Sequence, residues 1–167
     1  MRLEGLEYGE VRMHGVVAKR RVLHFGWSYA YDRARLTPGP EIPEYLLRLR
    51  ARLATFASVA PEELGEALIT EYPAGAGIGW HRDAPQFGIV TAVSLGASCR
   101  MRFRRGKVGA WEKAEVMVEP RSAYVIAGES RSGWQHGIPA TDGLRWSITF
   151  RTLRGKGRVE AKERDQP

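Results

Sequence analysis

Two histidines and one aspartate carry the first chemical signal in this chain. His81 and Asp83 are separated by Arg82 alone, and His136 follows far downstream. Two imidazoles and a carboxylate make the facial ligand set of a non-heme Fe(II) site, which covers one side of the metal and leaves the other open to a co-substrate and O₂. These ligands serve with the imidazoles neutral and the carboxylate ionised. Zinc in a hydrolase also accepts them, so the triad alone leaves both metals open. Arg145 and Arg151 favour iron. On a strand of period two, Arg145, Ser147, Thr149 and Arg151 share one face, and Trp146, Ile148 and Phe150 take the other. Two inward arginines call for an anion, because a buried unpaired guanidinium is costly. A small dicarboxylate would satisfy both bidentately. An exposed strand with a polar outer face would show the same alternation. Tyr72, just upstream of the metal pair, offers a hydroxyl to the same carboxylate. The combination argues for an oxygenase using Fe(II), O₂ and 2-oxoglutarate. His14 and His24 have no partner at ligand spacing and read as structural or surface residues.

These side chains need a scaffold of strands. Side chains alternate along a strand, so His81 and Asp83 point one way and Arg82 the other. His136 must then arrive from a distant strand or loop. Residues 9–31 read as two or three short strands broken by Gly15 and Gly26. Thr37-Pro38-Gly39-Pro40 reads as a rigid connection. Pro43 suits a helix start, and Leu46, Leu49, Leu53 and Phe56 recur at helical spacing, predicting an amphipathic helix over about 43–58. Arg48, Arg50 and Arg52 read as its solvated face. From Ala67 onward strands are expected near 67–72, 79–83, 88–95, 99–104, 115–118, 123–127 and 144–153. Many short strands with turn signals indicate a sandwich or barrel. The expected fold is mainly β with a flanking helix around a double-stranded β-helix (jelly-roll) core. A single domain is expected over 1–153, with a short lid region at about 1–31 and a charged, flexible tail over 154–167.

Composition bounds the partners. The chain has 167 residues, 43% of them hydrophobic, enough for one globular core. Its 26 Lys and Arg exceed its 19 Asp and Glu, giving a net charge of +7. That excess favours a polyanion such as nucleic acid, although a basic surface also serves solubility alone. Cys99 is the sole cysteine, so no intrachain disulfide can form. Residues Met1–Gly5 start no apolar stretch of signal-peptide type, and no apolar run approaches the roughly 18 residues of a membrane span. A cytoplasmic monomer with no membrane partner is the expectation.

The residues 71–83 (EYPAGAGIGWHRD), 93–96 (VSLG), 134–139 (WQHGIP) and 145–151 (RWSITFR) resemble the AlkB-type branch of the 2-oxoglutarate/iron oxygenases, as does the early segment 20–26 (RRVLHFG). The matching stretches span about residues 15–153. The resemblance implies a jelly-roll fold, iron on His81, Asp83 and His136, and 2-oxoglutarate held by Arg145 and Arg151 with Tyr72 and Ser147 assisting. It also implies oxidative demethylation of alkylated DNA or RNA bases, in which 2-oxoglutarate becomes succinate and the methyl group leaves as formaldehyde. Three positions depart from the family pattern. Ser147 and Thr70 stand where asparagine is usual, and Pro85 replaces a carboxylate that touches the base in many repair members.

A target base must be flipped or already single-stranded to reach such a metal. Trp27, Tyr29 and Trp80 are candidates to stack on it, with Arg82 as a further substrate-binding residue. Arg100, Arg102 and Arg104 share one strand face and read either as a phosphate track or as a solvated face; Lys19, Arg20 and Arg21 are equally ambiguous. Two other readings remain beside the demethylase. One is the same oxygenase chemistry on a protein or small molecule, and the other is a non-catalytic jelly-roll module that binds nucleic acid.

Overall fold

A computed structural model of the chain describes residues 3–13, 15–30 and 35–154, with backbone alone at residues 13, 28–30 and 35. His14 and residues 155–167 of the expected tail lie outside the described residues. Strands β1 (Gly9–Met13) and β2 (Val16–Phe25) pair antiparallel, as do β3 (Trp27–Ala30) and β4 (Arg35–Pro38). Helix α1 (Glu44–Ala57) and a 3₁₀ turn at Pro61–Glu63 lead into β5 (Leu64–Tyr72). Then come β6 (Ile78–His81), β7 (Phe87–Gly96), β8 (Cys99–Lys107), β9 (Ala110–Val118) and β10 (Ala123–Ile126). A short helix α2 (Gly128–Ser132) precedes β11 (Gln135–Ile138) and β12 (Arg145–Leu153).

Among the described residues the strands form a six-stranded sheet in the order β1-β2-β5-β12-β7-β10 and a four-stranded sheet in the order β6-β11-β8-β9. Neighbouring strands in both sheets run antiparallel, and the architecture is the jelly-roll of double-stranded β-helix type. Alternation on the larger sheet serves two layers. Ala67, Ile69, Ile148 and Phe150 pack with Leu46, Leu53 and Ala54 of α1 in one apolar cluster. A second cluster, Val90, Cys99, Met101, Val118, Ile126 and Ile138, lies apart from that helix.

α1 forms close to the expected limits. It begins after Pro43 and ends at Ser58, whose left-handed backbone (φ 56°) lets its N–H close on the carbonyls of Ala54 and Thr55. Phe56 does not continue the buried stripe, being 56% exposed. A helix turns once in about 3.6 residues, so a three-residue step from Leu53 drifts off the stripe, and Ala54 takes the buried place instead. A further departure is β4, where a rigid connection was expected, whereas His136, expected from a distant strand or loop, comes from the four-residue strand β11. Its sequence, Gln-His-Gly-Ile, lacks the β-branched run that marks a strand. It pairs on both edges, to β6 and to β8, so tertiary pairing overrides weak local preference.

Candidate metal and co-substrate centre

Strand pairing brings the metal candidates together. β6 and β11 are antiparallel, with His81 directly opposite His136. The two strands approach closely because glycines line the seam between them. A Cβ at Gly77 would sit 2.5 Å from the Ile138 carbonyl oxygen, so no larger residue fits there without movement. Reciprocal backbone bonds between the flanking loops, Gly75 N–H to Thr141 O at 2.7 Å and Thr141 N–H to Ala76 O at 3.0 Å, lock the register. Asp83 lies just beyond the end of β6, where the chain has left regular strand. The ligand atoms of His81, Asp83 and His136 all lie within 4.8 Å of one another. The His rings are 4.3 Å apart between centroids, and His136 Nε2 is 3.7 Å from Asp83 Oδ2.

Protonation in this cluster suits a metal. His81 Nδ1–H donates to the Gly79 carbonyl at 2.9 Å, which leaves Nε2 as the lone-pair nitrogen. Burial and the neighbouring His81 push His136 down to about 4, so it is neutral at neutral pH. Burial pushes the Asp83 carboxyl up, but Arg151, His136, His81 and Arg131 outweigh it and hold the group below the usual carboxylate range. With His136 neutral and Asp83 ionised, the set offers imidazole and carboxylate donors, the donor chemistry that Fe(II) takes.

Two residues without a sequence motif hold this cluster. Arg131 of α2 is buried and donates to three backbone carbonyls, Ala84 at 2.7 Å, Phe87 at 2.7 Å and Gly88 at 3.0 Å. It thereby fixes the loop that follows Asp83. Glu66 is 1% exposed and accepts two bonds from Arg151 Nη1, each 2.9 Å, while Arg151 Nη2 reaches Asp83 Oδ1 at 3.1 Å. Glu66 lies opposite Arg151 in the β5–β12 pairing. His24, which reads as structural from its spacing, lines the cavity instead, with Nδ1 3.8 Å from Glu66.

The expected polar face of β12 is present, and it turns away from the apolar cluster under α1. Arg145 faces Tyr72 across the pairing, Ser147 faces Thr70, and Arg151 faces Glu66. Arg145 is fully buried, and its guanidinium lies 5.1 Å from the Tyr72 ring centroid. Its Nε–H donates to Ser94 Oγ at 2.9 Å, while Nη1 and Nη2 have no partner among the described residues. Such an unmatched buried fork fits a carboxylate. The two arginines therefore differ. Arg145 holds unmatched donors, whereas Arg151 is already paired with two carboxylates. Burial also raises Tyr72, keeping it a neutral hydroxyl donor.

A cavity of about 420 Å³ opens between the sheets, lined by the triad together with Tyr72, Ser147, Thr149 and Arg151. Arg20 and Arg82 bring positive charge to its wall, where Arg12 is paired with Glu10 at 2.8 Å. Trp80 and Arg82 line it, and Arg82 also donates to the Gly133 carbonyl at 3.2 Å. Trp27 does not. Its ring lies against Gly65, one residue from Glu66 and so on the opposite face of β5. The backbone of Tyr29 belongs to β3, and its side chain lies outside the described residues. The basic run 19–21 divides, with Arg20 lining the cavity and Arg21 bonded to Glu71 at 2.6 Å.

The chain is similar to known proteins over most of its length. The family model described as "2OG-Fe(II) oxygenase superfamily" matches residues 8–151. The "Alkylated DNA repair protein ALKBH8 homolog" of Arabidopsis thaliana is 27% identical over 90% of this chain and 51% of its own length. The "tRNA (carboxymethyluridine(34)-5-O)-methyltransferase ALKBH8" of Mus musculus is 31% identical over 71% of this chain but only 18% of its own length. The protein L905 of Acanthamoeba polyphaga mimivirus is 28% identical over 81% of this chain and 70% of its own length. The chain thus spans about half of the plant relative and under a fifth of the mouse one.

Proposed function

The chain belongs to the 2OG-Fe(II) oxygenase superfamily, and from that premise we propose that it oxidatively demethylates N-alkylated bases in DNA or RNA. As a family member it is a dioxygenase that uses Fe(II), 2-oxoglutarate and O₂. Iron supplies the activation of O₂ that the protein's own side chains cannot perform.

The residues divide the remaining work. His81, Asp83 and His136 would hold the iron. Asp83 can offer one oxygen to it, Oδ2 on the His136 side, because Oδ1 is engaged by Arg151. Arg145 would take one carboxylate of 2-oxoglutarate through its two unmatched Nη groups, with Tyr72 and Ser147 as neutral hydrogen-bond donors. Arg151, tethered by Glu66, would face the other end and keep the co-substrate beside the triad. Positioning of this kind turns a meeting of three reactants into an intramolecular event.

The observation that carries the substrate reading is the cavity beside the triad, whose wall includes Arg20 and Arg82. Its size suits a small molecule or a single nucleobase, not a duplex. Positive charge at that wall favours a base that arrives on a phosphate backbone. The names of the plant and mouse relatives, which speak of alkylated DNA and of tRNA, support a nucleic-acid substrate. Pro85 offers no carboxylate to the base, so base recognition would fall to His24 and Thr70, which line the cavity.

The test is a coupled assay. Fe(II), 2-oxoglutarate and O₂ are supplied with DNA or RNA oligonucleotides bearing N1-methyladenine or N3-methylcytosine, and succinate and formaldehyde are both measured. Formaldehyde matching succinate is the expected result. Succinate that methylated oligonucleotides do not stimulate would move the substrate to another class.

A further inference from the structure

The opposite side of the four-stranded sheet carries a feature that neither the metal nor the co-substrate explains. β8 turns Met101 and Phe103 toward the second apolar cluster. By alternation Arg100, Arg102 and Arg104 project from the outer face. Register places Lys113 opposite Arg104 and Trp111 opposite Gly106, so both share that face. Trp80 joins from β6. The Arg102 and Arg104 guanidiniums lie 5.3 and 4.5 Å from its ring centroid, and Arg104 also lies 4.4 Å from the Trp111 ring. Arg104 thus bridges two indoles. Gln135 accepts its Nε–H at 2.8 Å and steadies it.

Charge on this face is lopsided. Glu115 is the partner of Arg100 at 3.5 Å. Arg102, Arg104 and Lys113 have no carboxylate partner among the described residues, and Arg102 Nε is a buried donor with no hydrogen-bond acceptor. A guanidinium stacked on an indole uses its π face and leaves its in-plane N–H edge for an oxyanion. Indoles and arginine edges set side by side suit a chain that alternates flat π surfaces with phosphates. In a single strand both are exposed, whereas a duplex buries its base faces. The surface is also continuous with the cavity. Trp80 both stands in this array and lines the cavity, and it immediately precedes His81.

We propose that the outer face of β6, β11, β8 and β9 docks the single-stranded nucleic acid that flanks the target base. Arg102, Arg104 and Lys113 take its phosphates, and Trp111 and Trp80 take bases. This inference rests on the reading that the substrate is a nucleic acid, and it adds where the strand lies outside the cavity.

The test measures binding, not turnover, so the two readings fail separately. Fluorescence anisotropy follows unmodified, labelled single-stranded DNA, single-stranded RNA and the matched duplex at several salt concentrations. The single strands are expected to bind more tightly than the duplex, and the stronger of the two identifies the natural polymer. Trp111→Ala should weaken binding roughly tenfold, the effect of removing one stacked base. Arg102→Gln with Arg104→Gln should flatten the dependence of log K on log salt by about 0.7 for each phosphate that is no longer neutralised. Both variants should keep the wild-type melting temperature. Wild-type binding in both variants, no binding of either single strand by the native chain, or equal affinity for duplex would overturn the proposal. Tight single-strand binding without formaldehyde would retain this surface and remove the demethylation reading.

Discussion

Arg145 shows how much one residue can reveal at the smallest scale. A fully buried guanidinium with two unmatched nitrogens is destabilising unless a ligand completes it. Arg145→Met should therefore cost the ligand-free protein little, and it should abolish the stabilisation that 2-oxoglutarate provides. In the native chain that gain is about 2.7 kcal/mol at roughly a hundredfold excess over Kd. Thermal melts with and without 2-oxoglutarate read the difference, and an undiminished shift in the variant would remove Arg145 from the co-substrate site. Asp83→Ala is expected to abolish succinate formation while the chain still folds. Glu66 continues to neutralise Arg151 in that variant, so no buried charge is stranded. Retained turnover would remove the metal assignment. The chemistry of these residues was legible from their types and spacing. The pairing of Arg151 with Glu66 and Asp83 was not, because nothing in the spacing of three polar residues shows which side chains cross between strands.

At the scale of elements, the centre depends on two short pieces with weak local signatures. β11 presents His136, and α2 supplies Arg131. Arg131 holds three carbonyls of the segment that follows Asp83, so Arg131→Ala strands those carbonyls and loosens a ligand without touching it. We expect stability to fall by about 3 kcal/mol and the metal Kd to weaken by roughly ten- to a hundredfold. Urea unfolding and metal titration measure the two effects. If metal affinity survived while stability fell, Arg131 would be purely structural. Arg131→Lys keeps the charge but not the fork, and should recover only part of either effect. Longer elements behaved differently. α1 and β12 were readable because their apolar residues repeat with the period of the element over nine or more residues.

At the scale of the molecule, the buried cluster ties stability to pH. His136 sits near 4 in the folded chain against about 6.5 when unfolded, so the unfolded state binds more protons between those values. Stability of the metal-free protein should fall as pH drops through that window, by on the order of 3 kcal/mol. Asp83, also held low, adds to the fall as the pH drops further. Urea midpoints at about pH 7 and about pH 5 check the sign, and a midpoint that rose on acidification would contradict it. By itself the sequence determined the class of chemistry, the β-rich fold and the helix that backs it. Donor type and short-range period are local properties, written in residues that stand next to one another. Only the tertiary structure decided which partners meet: His81 across from His136, Glu66 across from Arg151, Arg131 against the Asp83 loop, and Arg104 between two indoles. Most of those pairings join positions far apart in the chain, and strand register and sheet order, which no local pattern encodes, set the ones between strands.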